Sequence, residues 1–439
     1  MQSIDDFLNF EYLYKAFKKA QNNRSYKQSA MYFRLQAVQN LAQIQQELKK
    51  QTYKVGKYTE FTVKEPKERI IQACSFRDKI VQHLLCDNIL NQHMSHICIK
   101  DNYAGQRGKG TSFAYRRTIQ QLKAFGKKHP EGYIFKGDIS KFYYNISHQK
   151  SIDQMEYYFD KSLWWLIEVF TNSTKGDIGL PLGNQINTIA SNIYLEGLDR
   201  FVRYDLGIQY YGRYADDFYF LCEDKNTAIV YSKLIVEYLN TLDLQLNPKS
   251  QIVPLKNGLP FCGFIFKYNI QSKWVIVKKR NDKRRAYTRK FNRMCNLVLC
   301  NKIPLSALLA SFNSWSSHAK WCTNYTQISK HYLQKINLLK NKIICKEVKK
   351  MIENGNYEIS ERTSYDSPIP HRDGDVIYIP VNISTSTDDD GKTLYTFDEW
   401  RIAKPENLPD ECVSDMADII AKEGTAQKVL TKIEEVYNE

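Results

Sequence analysis

Residues 204–222 read Tyr-Asp-Leu-Gly-Ile-Gln-Tyr-Tyr-Gly-Arg-Tyr-Ala-Asp-Asp-Phe-Tyr-Phe-Leu-Cys. Two adjacent carboxylates, Asp216 and Asp217, sit between aromatic-rich runs of the kind that pair as strands. The reading is a hairpin whose acidic tip holds Asp216 rigidly while its flanks are buried. Enclosed neighbouring aspartates repel each other unless a cation lies between them, and Mg²⁺ prefers such hard oxygen ligands. An Asp-Asp pair after a turn is often only a solvated turn. The Tyr-Ala-Asp-Asp form between apolar strands is rarer, and it calls for a partner carboxylate elsewhere. Residues 133–139, Tyr-Ile-Phe-Lys-Gly-Asp-Ile, supply it: they read as a buried strand with Asp138 at its end, where α/β sheets usually keep their chemistry.

Charge is unevenly spread along the 439 residues, whose net charge is +15. Residues 351–439 carry 8 Lys and Arg against 20 Asp and Glu, so the first 350 residues are strongly basic. A basic body with 13% aromatic residues suits a phosphate backbone and stacked bases. Ten cysteines without a C-x-x-C pair argue against a zinc site and for reduced thiols. The start, Met-Gln-Ser-Ile-Asp-Asp, has no signal-peptide pattern, and no apolar run reaches membrane-spanning length. The expectation is a soluble cytoplasmic protein without a membrane partner.

Residues 1–55 show helical spacing of apolar residues, followed by two short strands, 58–63 and 69–73, and a helix from about Phe76 to Met94. The glycine-rich loop 102–111 opens a helix from about Ser112. Its Arg107 and Lys109, beside a helix N-terminus, suit phosphate, although a plain surface loop has the same composition. After the Asp-Asp hairpin come a helix at about 225–242, the segment Leu246-Asn247-Pro248-Lys249, and a hairpin around Phe261-Cys262-Gly263.

The order of these pieces, from about residue 60 to 345, resembles the reverse transcriptases. Asp138 with Tyr143 looks like motif A, Leu180-Pro181-Leu182-Gly183-Asn184 like motif B, and Tyr214-Ala215-Asp216-Asp217 like motif C. Leu246–Lys249 looks like motif D, Phe261–Gly263 like motif E, and Pro66–Arg69 with Phe76-Arg77-Asp78 like the fingers motifs. The resemblance implies an α+β right-hand polymerase: an N-terminal helical region (1–55), fingers and palm with an antiparallel sheet (56–270), a helical thumb (271–350), and a small acidic extension (351–439).

It also implies roles. Asp138 and Asp216 chelate two Mg²⁺ ions with Asp217 beside them. Lys67 and Arg69 grip the triphosphate, Leu182, Gly183 and Asn184 line the nucleotide site, and Lys249 protonates pyrophosphate. Tyr143, five residues after Asp138, stacks under the deoxyribose and clashes with a ribose 2′-hydroxyl. Template RNA, dNTPs and DNA product are the implied partners. Leu182 before the motif B glycine resembles the diversity-generating retroelement enzymes, but Asn187-Thr188 replaces their Ser-Gln. The resemblance then points to the loosely grouped bacterial enzymes associated with phage defence, copying a dedicated structured RNA.

Residues 278–293 hold nine basic residues and one acid where the family's thumb begins. Lys278, Lys279, Arg280, Lys283, Arg284, Arg285 and Arg289 are therefore expected to contact nucleic acid. In the extension, 375–381 reads as a strand, 387–391 as an acidic turn and 411–437 as helix; its function is not legible. Rival readings are diversity generation, template-independent or protein-primed DNA synthesis, and an RNA-binding scaffold that no longer catalyses.

Overall fold

The computed structural model describes residues 3–63, 68–388, 390–405, 407–426 and 428–431. The chain forms two compact units, 1–276 and 277–439.

The first unit begins with three helices, α1 (Phe10–Gln21), α2 (Gln28–Leu35) and α3 (Ala37–Lys49). In α1 the residues Leu13, Ala16, Phe17 and Ala20 recur on one face and are buried, while Asn9 caps the start by accepting the Tyr12 N–H at 3.0 Å. The two expected fingers strands are present as the antiparallel pair β1 (Thr59–Val63) and β2 (Arg69–Ala73). Helix α4 (Phe76–Leu85) starts in a capping box: Ser75 accepts the Asp78 N–H, and Asp78 accepts the Ser75 N–H. A π-helical turn over Cys86–Leu90 carries it into α5 (Asn91–Ile97), so the single helix expected here is interrupted once.

Next come α6 (Thr111–Lys128), β3 (Tyr133–Asp138), α7 (Phe142–Asn145), α8 (His148–Tyr158) and α9 (Lys161–Thr171). They are followed by α10 (Gln185–Tyr194), α11 (Glu196–Arg200), β4 (Tyr211–Tyr214), β5 (Asp217–Cys222), α12 (Lys225–Thr241) and β6 (Gln251–Pro254). The four strands form an antiparallel sheet in the order β4-β5-β3-β6. Gly137 is required in its middle, because a Cβ there would lie 2.5 Å from the Phe218 ring. A second sheet, β7 (Leu259–Phe261), β8 (Phe264–Asn269) and β9 (Trp274–Lys279), follows. Cys262 and Gly263 both have positive φ, 46° and 85°, as the two-residue turn between β7 and β8 demands.

Arg213 is the most unusual core residue of this unit. It and Asp199 have no exposed side-chain surface, and two bonds of 2.7 and 2.6 Å join them. Tyr211 donates to the same carboxylate at 2.7 Å. The remaining guanidinium N–H groups donate to the Ala215 and Asn192 carbonyls at 3.0 and 3.2 Å. One side chain thus ties the tip of the β4–β5 hairpin to α10 and α11.

The second unit contains α13 (Asn281–Leu299), α14 (Leu305–Ala319) and the 29-residue α15 (Tyr325–Glu353). They are followed by β10 (Tyr357–Ser364), β11 (His371–Asp373), β12 (Val376–Thr387), β13 (Thr393–Ala403) and α16 (Val413–Glu423). The strands form one antiparallel sheet in the order β10-β13-β12-β11. Phe291, Phe312 and Trp315 of the helices share one continuous core with Ile377, Ile379 and Trp400 of the sheet and Met416 of α16. Residues on both sides of position 350 therefore pack together. The expected strand at 375–381 is the start of β12, while β10, β11 and β13 were not foreseen. The expected helix over 411–437 is described as α16, and residues 432–437 lie outside the described residues. All ten cysteines are unpaired.

Removing one member of a fully buried ion pair leaves the other charge unpaired. Asp199→Ala is expected to destabilise the protein by about 3–5 kcal/mol, read as a lower midpoint in urea unfolding followed by circular dichroism. A loss below about 1 kcal/mol would mean that the pair is not a structural keystone.

Candidate active site

Strand β3 is central in its sheet, and its register sets Asp138 opposite Asp217, which in turn pairs with Tyr214 across the hairpin. Ala215 and Asp216 make the turn, with Ala215 in the left-handed region at φ 54°. The Ile139 N–H donates to the Asp216 carbonyl at 3.1 Å, which seats the turn on the end of β3. The expected pairing of Asp138 with the Asp-Asp hairpin is thus built by strand register. Burial and the Asp138 charge push the Asp216 carboxyl above the usual carboxylate range, against the lowering effect of the Arg69 and Lys136 charges.

Asp138 is braced from the segment after α12. The Asn247 side-chain amide donates to its Oδ2 at 2.9 Å, the Asn247 N–H donates to its carbonyl at 2.7 Å, and its own N–H donates to Ser250 Oγ at 3.2 Å. Asp217 is occupied differently: it forms an ion pair with Lys136, two residues before Asp138 on the same strand. The register keeps Asp217 next to Asp138, so the expected set of Asp138, Asp216 and Asp217 comes to one end of the sheet, with Lys136 balancing one of its charges. Among the described residues, no group of three His, Cys, Asp or Glu is arranged to hold a metal ion. Sequence reasoning passed over Lys136, Asn247 and Arg213; their only signal was a charged or amide residue inside or beside a run otherwise suited to strand.

Tyr143 lies beside this site. Burial raises its hydroxyl pKa and the Asp216 charge raises it further. Ser191 of α10 donates to the hydroxyl at 3.2 Å, and Phe142 packs edge-on against the ring at 5.4 Å. The Gln72 N–H of β2 donates to the Leu182 carbonyl at 3.1 Å. Gly183, at φ 119°, has Ile71 so close that a Cβ would sit 3.3 Å from it. The fingers strand carrying Arg69 is therefore bonded to the loop before α10. Asn184 is buried, and its amide donates to the Tyr58 hydroxyl at 2.9 Å. Asn187 is buried as well and donates to the Pro181 carbonyl at 2.9 Å. Lys249 is exposed, and Lys67 lies outside the described residues.

The basic residues divide into engaged and outward-facing groups. Lys109 turns inward, donating to the Ile99 and Asn102 carbonyls at 3.2 and 2.9 Å, and burial holds its ammonium below the usual lysine range. Lys109 thus braces the loop, and Arg107 is exposed. Within the second unit, Lys279 is paired with His318, and burial lowers its pKa. Arg280 bonds Asp282 at 3.1 and 3.0 Å. Lys278 and Lys283 are half-buried or exposed positions at the start of this run. Arg284, Arg285 and Arg289 are exposed and line a groove of about 920 Å³ between α13 and α15. Thr288 and Tyr332 close its floor through a 2.7 Å hydroxyl contact.

Two hard carboxylates with a raised Asp216 pKa fit Mg²⁺, which is commonly held by one or two carboxylates while substrate phosphates and water complete its octahedron. No helix among the described residues is long and apolar enough to cross a membrane.

A family model described as reverse transcriptase (RNA-dependent DNA polymerase) matches residues 27–266, more than half of the chain. No curated protein matches it in sequence. Among solved structures it is similar to apo telomerase from Candida tropicalis truncated from its C-terminal domain, at 15% identity over 51% of this chain and 55% of that one, with a TM-score of 0.37. Telomerase from Candida albicans in complex with a TWJ fragment of telomeric RNA is 13% identical over 69% and 61%, with a TM-score of 0.40. Full apo telomerase from Candida tropicalis is 12% identical over 65% and 62%, with a TM-score of 0.41. The match thus spans less than two thirds of each of these chains.

If Asp138 and Asp216 hold Mg²⁺, the ion stabilises the folded chain. At ten times its Kd, Mg²⁺ is expected to add ~1.4 kcal/mol, seen as a raised midpoint in thermal unfolding. Asp216→Asn should unfold no earlier than the native chain without metal, since it removes a repelled carboxylate, and should lose the Mg²⁺ increment. An increment that survives the substitution would place the metal elsewhere.

Proposed function

The chain belongs to the reverse transcriptase (RNA-dependent DNA polymerase) family, and from that premise we propose that it copies RNA into DNA at the Asp138–Asp216 site. The reaction is transfer of a dNMP from a dNTP to a primer 3′-hydroxyl, with release of pyrophosphate. The observation that supports this reading is the seating of Asp216 at the end of the strand that carries Asp138, through the register of Asp138 opposite Asp217 and the 3.1 Å bond from the Ile139 N–H to the Asp216 carbonyl.

Asp138 and Asp216 would hold the metal, and Mg²⁺ bound there supplies charge neutralisation for the nucleophile and the leaving phosphates. Asn247 and Ser250 fix Asp138 so that its orientation is set before substrate arrives. Arg69 draws the triphosphate toward the carboxylates as a charge-assisted donor, and the Gln72–Leu182 bond holds its strand beside the motif B turn. Lys136 pairs with Asp217 and so balances one of the three carboxylate charges at this end of the sheet. Tyr143, held by Ser191, presents its ring to the sugar and excludes a 2′-hydroxyl. Lys249, exposed beyond Asn247, is the proton donor proposed for pyrophosphate. The exposed arginines of α13 suit a nucleic-acid backbone.

The finer reading is a cytoplasmic enzyme that copies a dedicated structured RNA in antiphage defence. It is supported by Asn187-Thr188, which departs from the pattern of the mutagenic retroelement branch.

Removing the ring tests the sugar reading. Tyr143→Val is expected to raise ribonucleotide over deoxyribonucleotide incorporation by roughly tenfold or more on a primed RNA template, the equivalent of ~1.4 kcal/mol of lost discrimination. An unchanged ratio would make Tyr143 a packing residue.

The role is tested in cells by sequencing newly made DNA with and without phage. Faithful copies of one RNA, with plaque suppression that needs Asp138 and Asp216, are expected. Copies mutated at template adenines, with no effect on plaques, would assign the chain to diversity generation instead.

A further inference from the structure

The sheet of the second unit has two edges, and only one of them is blunted. Its order β10-β13-β12-β11 leaves β10 and β11 outermost. Strand β11 is three residues long and covers only residues 376–378 of β12. Farther along, β12 is interrupted by a register shift between Val381 and Ser384, with Asn382 in the left-handed region at φ 52°. A very short strand and a bulge are ways in which an edge is made unfit to receive a further strand. Strand β10 has neither. Its eight residues pair with β13 in one unbroken register, from Tyr357↔Ile402 to Ser364↔Tyr395. Among the described residues its backbone makes no bond on the other side, and residues 358–363 are all exposed.

The side chains of this open edge alternate in sign about their middle. Glu358 and Arg362 share one face, with Ser360 midway between them. Each already has a partner on β13, Arg401 for Glu358 and Glu399 for Arg362, both at 3.3 Å. Even so, the side chains of Glu358 and Arg362 keep 75% and 59% of their surface in water. On the core-facing side Tyr357 stacks on the buried Trp400 at 4.7 Å, whereas Ile359, which pairs with Trp400, is 49% exposed.

We propose that β10 pairs antiparallel with β10 of a second copy, in a two-fold register centred on Ser360, joining two four-stranded sheets edge to edge. That register sets Glu358 opposite Arg362 of the second copy, and Arg362 opposite its Glu358. Opposite charges directly across a strand pair stabilise it, and like charges destabilise it. Centring on Ile359 sets neither charge against its opposite, and centring on Glu361 sets that carboxylate against itself. The Ser360 register also makes the two Ile359 side chains diagonal neighbours on the core-facing side, within reach of each other. The strand is thus the complement of its own reverse, which is what an isologous contact requires and an unrelated peptide does not. The inference is independent of the polymerase reading, because β10 lies outside residues 27–266 and the Asp138–Asp216 site.

The test is sedimentation velocity on the full chain after nuclease treatment, which should show a monomer–dimer equilibrium. Glu358→Arg and Arg362→Glu should each weaken the dimer by roughly tenfold or more, since each sets two like-charged pairs across the joint. The double swap, Glu358→Arg with Arg362→Glu, should restore it. Within one copy the double swap still leaves like charges beside Arg401 and Glu399, so recovery can come only from pairing between copies. Ser360→Cys under mild oxidation should give a covalent dimer linked through position 360, with the native chain and its ten unpaired cysteines as the background. A chain that stays monomeric would overturn the inference, as would a dimer that both single reversals leave intact or that the double swap fails to restore. So would faster cross-linking through Ser386→Cys, at an exposed position on the outer part of β12, which would place the joint on the other edge.

Discussion

Everything at the active end of the palm sheet depends on a buried charge pair one layer beneath it. Arg213 and Asp199 are removed from water altogether, and such a pair is tolerable only when every donor and acceptor is matched. Here they are matched by Tyr211, by the Asn192 carbonyl of α10 and by the Ala215 carbonyl of the turn. The guanidinium is planar and always charged, so its fork fixes directions as well as distances. The position of Asp216 follows from the bond to Ala215. The position of Tyr143 follows from α10, through Ser191. The Asp216 carboxylate and the Tyr143 ring are therefore referred to one rigid group, although they come from different segments of the chain.

The parts of this arrangement that were legible in the sequence are those with a local signal. The hairpin around Asp216 stood out because aromatic and apolar residues flank it on both sides, and β3 because its apolar run ends in Asp138. Fingers strands β1 and β2 were readable within one residue, even though both are largely exposed, because charged turn residues separate them. Arg213 was not legible. Arginine is normally a surface residue, and nothing near it in sequence reveals that Asp199 waits on α11. The inward turn of Lys109 was not legible either: its loop composition fits phosphate, and nothing in it marks the two carbonyls, of Ile99 and Asn102, that its ammonium bonds. Asp217 looked equivalent to Asp216 because adjacent residues share composition. Asp216 lies in the turn, whereas Asp217 begins β5 directly across from Asp138, where Lys136 pairs with it.

The C-terminal sheet escaped for a further reason. Strand β10 exposes nearly all of its residues, and the outer half of β12 does likewise, so neither shows the alternation that marks a half-buried strand. Only Val376–Val381, where apolar residues meet the helices, carried the pattern. The core that unites α13–α15 with the sheet is made by contacts distant in sequence, such as Phe291 and Trp315 with Ile379 and Trp400. No window of local residues encodes that.

This shared core joins two segments of opposite sign. Residues 277–350 contain eighteen Lys and Arg against two acidic residues, whereas 351–439 contain 8 against 20. Charge is thus divided unevenly along the sequence of this unit, basic in its helical segment and acidic after it. In the field of a polyanion such a charge distribution experiences a torque as well as a net attraction. Toward any polyanion the acidic segment would repel where the basic helices attract, so approach by way of the helices would be favoured before contact.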